Sequence, residues 1–213
     1  MLEILKRSVI QLTKIRHPRI LTVQHPLEES RDSIAFATEP VFASLANVLG
    51  NSSNLSPQIS QTLSKFKLHE IEIKYGLLQL TEGLAFLHSD AKLLHKNICP
   101  ESIIINKEGG WKIFGFDFCV LNQNVSDPTP QWPFTPYNST YHILTQPNLD
   151  YMAPEATLHS QHCPASDIYS LGKLKLVQYL SVFIRSNYFT FSNSDLHHTL
   201  DEPQTNQTIW KRH

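Results

Sequence analysis

An α+β fold is predicted from three observations. Residues 2–16 carry apolar side chains at Leu2, Leu5, Val9, Leu12 and Ile15, steps of three and four that draw one helical stripe. Residues 68–88 repeat the pattern with Ile73, Leu77, Leu80, Leu84 and Leu87. Short apolar runs at 20–23 and 34–38, and again at 102–106 and 111–114, are separated by polar or glycine-containing stretches, as paired strands are.

The first helix must stop near His17-Pro18, because proline lacks a donor and restricts the residue before it. The runs 20–23 and 34–38 then read as a strand pair with 28–33 as its loop. Residues 41–49 read as a short helix and 51–60 as a Ser/Asn/Pro loop. The helix of 68–88 is the expected buried centre of a helical subdomain. Residues 107–110, Lys-Glu-Gly-Gly, suit a hairpin turn between 102–106 and 111–114. Five prolines mark 122–150 as a long loop, and 166–180 is helical again. Residues 181–213 show no clean period and are expected to be a divergent, poorly ordered tail.

Composition bounds the function. A chain of 213 residues can bury one good core. Lys plus Arg at 18 against Asp plus Glu at 19 gives a net charge of −1, which argues against coating nucleic acid or an anionic membrane by bulk charge. Hydrophobic residues at 41% with charged residues at 17% describe a globular protein, not a disordered one. Three scattered cysteines do not make a disulfide framework, so a reducing compartment is expected. No run approaches the roughly 20 apolar residues that span a bilayer, and residues 1–7 lack the apolar core of a secretory signal. Asn-x-Ser/Thr triplets such as Asn51-Ser52-Ser53 are therefore not expected to be glycosylated.

Four short patterns follow one another in a fixed order. They are residues 94–103, Leu-His-Lys-Asn-Ile-Cys-Pro-Glu-Ser-Ile; residues 112–117, Lys-Ile-Phe-Gly-Phe-Asp; residues 151–155, Tyr-Met-Ala-Pro-Glu; and residues 167–172, Asp-Ile-Tyr-Ser-Leu-Gly. In that order they resemble the H-R-D-L-x-x-x-N, D-F-G and A-P-E motifs and the αF helix of protein kinases. The resemblance implies a partial kinase-like domain over residues 1–180. It would have an incomplete N-lobe (αC and strands 4 and 5) and a partial, mainly α-helical C-lobe, truncated at both ends.

The same alignment shows which chemistry has changed. Phosphoryl transfer needs a carboxylate for the hydroxyl nucleophile and oxygen ligands for Mg²⁺. Asn97 stands at the catalytic Asp, Cys99 at the catalytic-loop Lys, Ser102 at the metal-binding Asn and Gly115 at the D-F-G aspartate. Ser8 stands at the αC glutamate, and no glycine-rich loop or strand-three lysine is recognisable. No metal site is expected; Asp117, at the D-F-G glycine, is the one nearby acid that could stand in. Positions that hold the fold are kept. The resemblance makes Leu12, Val23, His95 and Phe116 the stacked spine, with Asp167 anchoring its base, and makes Thr38, Glu39 and Val41 the hinge that would contact nucleotide. Glu155 is expected to be a buried carboxylate without its arginine partner.

Cys99 has no base beside it and reads as an inert thiol. His159, His162 and Cys163 are too few for zinc. Residues 12–21, 38–49 and 111–118 are similar to the Scy-like pseudokinase family, above all to its clathrin-coated-vesicle-associated member. That resemblance implies a catalytically impaired binding scaffold in clathrin and endosome–Golgi traffic, cytoplasmic and peripheral on coated vesicles, endosomes or the trans-Golgi network. ATP would bind weakly and without Mg²⁺, and no other cofactor is implied. Partners would be trafficking proteins, without nucleic acid; direct clathrin or adaptor binding is not expected, because the family's tail has no counterpart in these residues. Two alternatives stand beside it: a weak ATP-dependent serine/threonine kinase with atypical metal use, and a truncated product without independent function.

Overall fold

Helix α1 (Leu2–Lys14) forms along the predicted stripe and buries Ser8, Val9 and Leu12. The computed structural model describes residues 2–31, 33–122, 132–158 and 162–175, so the tail expected at 181–213 lies outside the described residues. After α1 the chain turns at Pro18-Arg19, and Ile20 makes a parallel bridge to Ile113. Leu21 then donates its N–H to the Ile113 carbonyl at 3.0 Å. These two residues were expected in a strand; instead their backbone is tied to a distant hairpin, and strand β1 begins later (Val23–Glu29).

β1 pairs antiparallel with β2 (Ile34–Thr38), bringing Val23 opposite Thr38 and Glu29 opposite Ile34. Glu28 and Glu29, expected in the loop, are therefore extended, and Glu29 is held by Lys6 of α1 at 2.7 Å. The stretch read as one short helix splits into β3 (Val41–Ser44) and α2 (Leu45–Val48). Ser44 is the junction: its hydroxyl accepts the Asn47 N–H at 3.2 Å, capping the helix. A further helix, α3 (Pro57–Ser64), occupies part of the expected loop, with proline at its start, where the missing N–H costs nothing.

Helix α4 (Glu70–Ser89) is the central element. Glu72 reaches back to the His69 N–H at 2.7 Å, satisfying one donor at its open end. Strand β4 (Leu93–Leu94) follows, then β5 (Ile103–Asn106), β6 (Trp111–Ile113) and β7 (Val120–Leu121). The sheets are β1-β2, β3-β5-β6 and β4-β7. The β5–β6 turn closes as predicted: Asn106 accepts the Gly110 N–H through its side chain at 2.7 Å, and Gly109 takes the positive φ of +80°.

The β5–β6 hairpin docks on α4 through a notch rather than a ridge. Gly76 and Gly83 are buried, and a Cβ on Gly76 would stand 2.2 Å from the Trp111 ring; one on Gly83 would stand 2.8 Å from Ile113. Gln79, between them, accepts the Trp111 N–H at 2.8 Å. Ile73, Leu80, Leu84 and Leu87 complete the buried face, with Leu77 packed at its edge.

Beyond β7, three-residue 3₁₀ turns at Ile143–Thr145 and Leu149–Tyr151 order the later part of the proline-rich stretch. α5 (Pro154–Leu158) and a helix over residues 164–175, here α6, complete the described chain. Asp167 on α6 is 1% exposed. Its Oδ2 accepts the His95 N–H at 2.9 Å and its Oδ1 the Lys96 N–H at 2.8 Å. His88 of α4 meets Oδ2 at 2.9 Å, so one carboxylate joins two helices and the loop after β4. Just before α6, His162 is 8% exposed and lies against Phe134, with ring centroids 4.9 Å apart. Its Nε2 is buried without a hydrogen-bond partner among the described residues. Burial pushes its pKa down to about 4, with Lys96 adding to the shift.

Two measurements test this packing. Gly76→Ala gains about 1 kcal/mol of helix propensity but drives a methyl into the Trp111 ring; it should lower the unfolding free energy in urea by about 1–3 kcal/mol. Tyr75→Ala, at a position 55% exposed, should stay within about 0.5 kcal/mol. His162 is neutral in the fold and takes a proton near pH 6.5 when unfolded, so its stabilisation is present above that pH and lost as pH falls toward 4. Between pH 7 and 5 the native chain should lose on the order of 2 kcal/mol more than His162→Phe does in the same urea titrations.

Candidate functional site

The loop after β4 is shaped by backbone contacts to buried groups. His95 is fully buried, and its Nδ1 accepts the Asn97 N–H at 3.3 Å. That places the ring proton on Nε2, which donates to the Phe114 carbonyl at 3.0 Å. Burial holds the imidazole below its ordinary pKa, so it is a neutral packing group. Its ring meets Phe116 edge-on at 4.9 Å. Leu12 and Phe116 lie with it in the core, and Val23 packs against that core from the edge. Lys96, next in line, adopts a φ of +66°, a left-handed conformation that its two neighbouring bonds to Asp167 impose.

The positions where a kinase carries its chemistry are filled otherwise. Asn97 Oδ1 accepts the Asn148 N–H at 2.8 Å, so the amide pins the loop to the 3₁₀ turn before α5. Cys99 is buried, and desolvation with the nearby Glu101 carboxylate pushes its thiol up to about 12; it is not a nucleophile at neutral pH. Ser102 donates to the Cys99 carbonyl and accepts the Cys99 N–H, both at 3.0 Å. Its oxygen is used in closing that turn.

Gly115 has a φ of +77°. The Asp117 Oδ2 lies 3.4 Å from where a Gly115 Cβ would stand, so the one nearby acid does turn toward the vacated volume. It does so alone: among the described residues no group of three or more His, Cys, Asp or Glu side chains could hold a metal ion. Of the zinc candidates, His159 lies outside the described residues. Of the side chains at positions 97, 99, 102, 115 and 117, Asp117 alone is a carboxylate.

Ser8 is buried on α1 and borders the same cleft as Phe114 and Asp117. At the hinge, Thr38 donates through Oγ1 to the Glu39 carbonyl at 3.0 Å, and Val41 is 43% exposed on β3. The Glu39 carboxylate faces the β5–β6 hairpin: Lys112 bridges to it at 2.9 Å and the Thr22 N–H at 2.8 Å. Burial alone would raise its pKa, but these partners hold it below the ordinary range. The hinge is therefore fastened to the hairpin.

Glu155 departs from expectation. It is half-buried, and Ser166, eleven positions on, donates its hydroxyl at 2.9 Å. The carboxylate has a partner because α6 starts beside α5. Sequence reasoning missed Gln146, whose buried amide brackets Asn138 through bonds of 2.6 and 2.7 Å and shapes the cleft beside Asn97. It also missed Arg7, which donates to the Cys119 carbonyl at 3.4 Å. Neither contact leaves a motif in the sequence. A cleft of about 450 Å³ runs past Asn97 and gathers Glu101, Asp117 and Asp150. No helix among the described residues is long and apolar enough to cross a membrane.

Comparison with known proteins agrees with this geometry. The family pattern described as "Protein kinase domain" matches residues 4–211. SCY1-like protein 2 of Homo sapiens is 58% identical over 168 residues, 79% of this chain and 18% of that protein. The protein kinase-like protein SCY1 of Saccharomyces cerevisiae is 33% identical over 172 residues, 81% of this chain and 21% of that protein. The scy1 of Dictyostelium discoideum, named a "probable inactive serine/threonine-protein kinase", is 32% identical over 117 residues, 55% of this chain and 12% of that protein. The chain thus spans about a fifth or less of the length of these relatives. With the order of its motifs, its buried Asp167 anchor and these likenesses, the chain belongs to the protein kinase domain family, among its SCY1-like members.

Proposed function

We propose that this chain is a kinase-fold binding module whose phosphoryl-transfer chemistry is dismantled, and that it works in clathrin and endosome–Golgi vesicle traffic. The observation that carries the reading is the pair Asn97 and Gly115. An amide already bonded to Asn148 cannot serve as the base for a hydroxyl nucleophile, and a glycine offers no oxygen to Mg²⁺. The name of the Dictyostelium relative supports the same direction. The trafficking half of the reading is supported by the Scy-like phrases at residues 12–21, 38–49 and 111–118. Its partners are proteins of that machinery, and its place is the cytoplasmic face of coated vesicles, endosomes or the trans-Golgi network. ATP, on this reading, binds weakly and without a metal.

One observation favours a second reading, a weak kinase with atypical metal use: the Asp117 carboxylate turned toward the Gly115 position. A single set of assays separates the two. With 1 mM ATP the unfolding midpoint should rise by no more than about 1 °C, as expected of a ligand with a Kd near or above that concentration. Mg²⁺ or Mn²⁺ should not change it, and no phosphate should be incorporated from labelled ATP. Autophosphorylation that Asp117→Ala abolishes would sink the scaffold reading in favour of the enzyme. For the trafficking half, the fluorescently tagged chain should co-localise with clathrin-coated membranes and be released from them by carbonate. A diffuse distribution would remove it.

A further inference from the structure

We draw no further inference here: the strongest candidate, the group of Lys96 in the loop after β4, Arg7 of α1 and the buried His162 before α6, rests on the lowered pKa values of Lys96 and His162 alone, and no hydrogen bond or ion pair among the described residues joins the three side chains.

Discussion

One buried carboxylate organises the site. Asp167 takes two backbone N–H groups from residues 95 and 96 and meets His88 of α4. Charge-assisted bonds of this kind are stronger than neutral ones, and losing the acceptor would leave two donors stranded in the core. Because Asp167 fixes those two nitrogens, His95 must turn inward to Phe114 and Phe116, and Lys96 must take its left-handed turn. Asn97 then emerges facing Asn148. The start of the loop is thus set by α6, through Asp167.

The groups that hold the frame are separate from those at the positions of kinase chemistry. Groups that shape the site act through backbone atoms and packing: Asp167, His95, Phe116, Leu12. In a kinase the groups that act on phosphate are side-chain oxygens and cations, and three of the residues at those positions here serve turns or packing. Asn97 ties down a 3₁₀ turn, Ser102 closes another, and Cys99 fills buried space. The hinge is fastened by Glu39 and Lys112. None of these contacts needs nucleotide. The polar groups of Asn97, Ser102 and Glu39 already have partners inside the chain.

Much of this was legible in the sequence, and the boundary between what was and was not is physical. The stripes of α1 and α4 are long enough for periodicity to speak, and the hairpin turn carries glycines where a positive φ is needed. Residues 41–49 misled because a short apolar run fits a strand or a helix equally, and the switch lies in one cap at Ser44. The start of α3 was written in Ser56-Pro57, a signal that a loop-like composition hid. The stripe of α4 named the right face but missed its two glycines, whose meaning depends on a tryptophan 35 positions away from Gly76. Which residues had changed at the site could be read from motif order. What the replacements do could not, since Asn97 finds its partner 51 positions on.

Gly115-Phe116-Asp117 reads as the D-F-G motif reversed, and the geometry ties the two ends of that triplet together. An aspartate at 115 alone would have to adopt a φ of +77° and set a second carboxylate beside one whose oxygen is 3.4 Å from its Cβ. A glycine at 117 alone would remove the carboxylate that faces the Gly115 position. The two positions are therefore matched to each other: exchanging either residue alone leaves the space or the charge at the other unanswered.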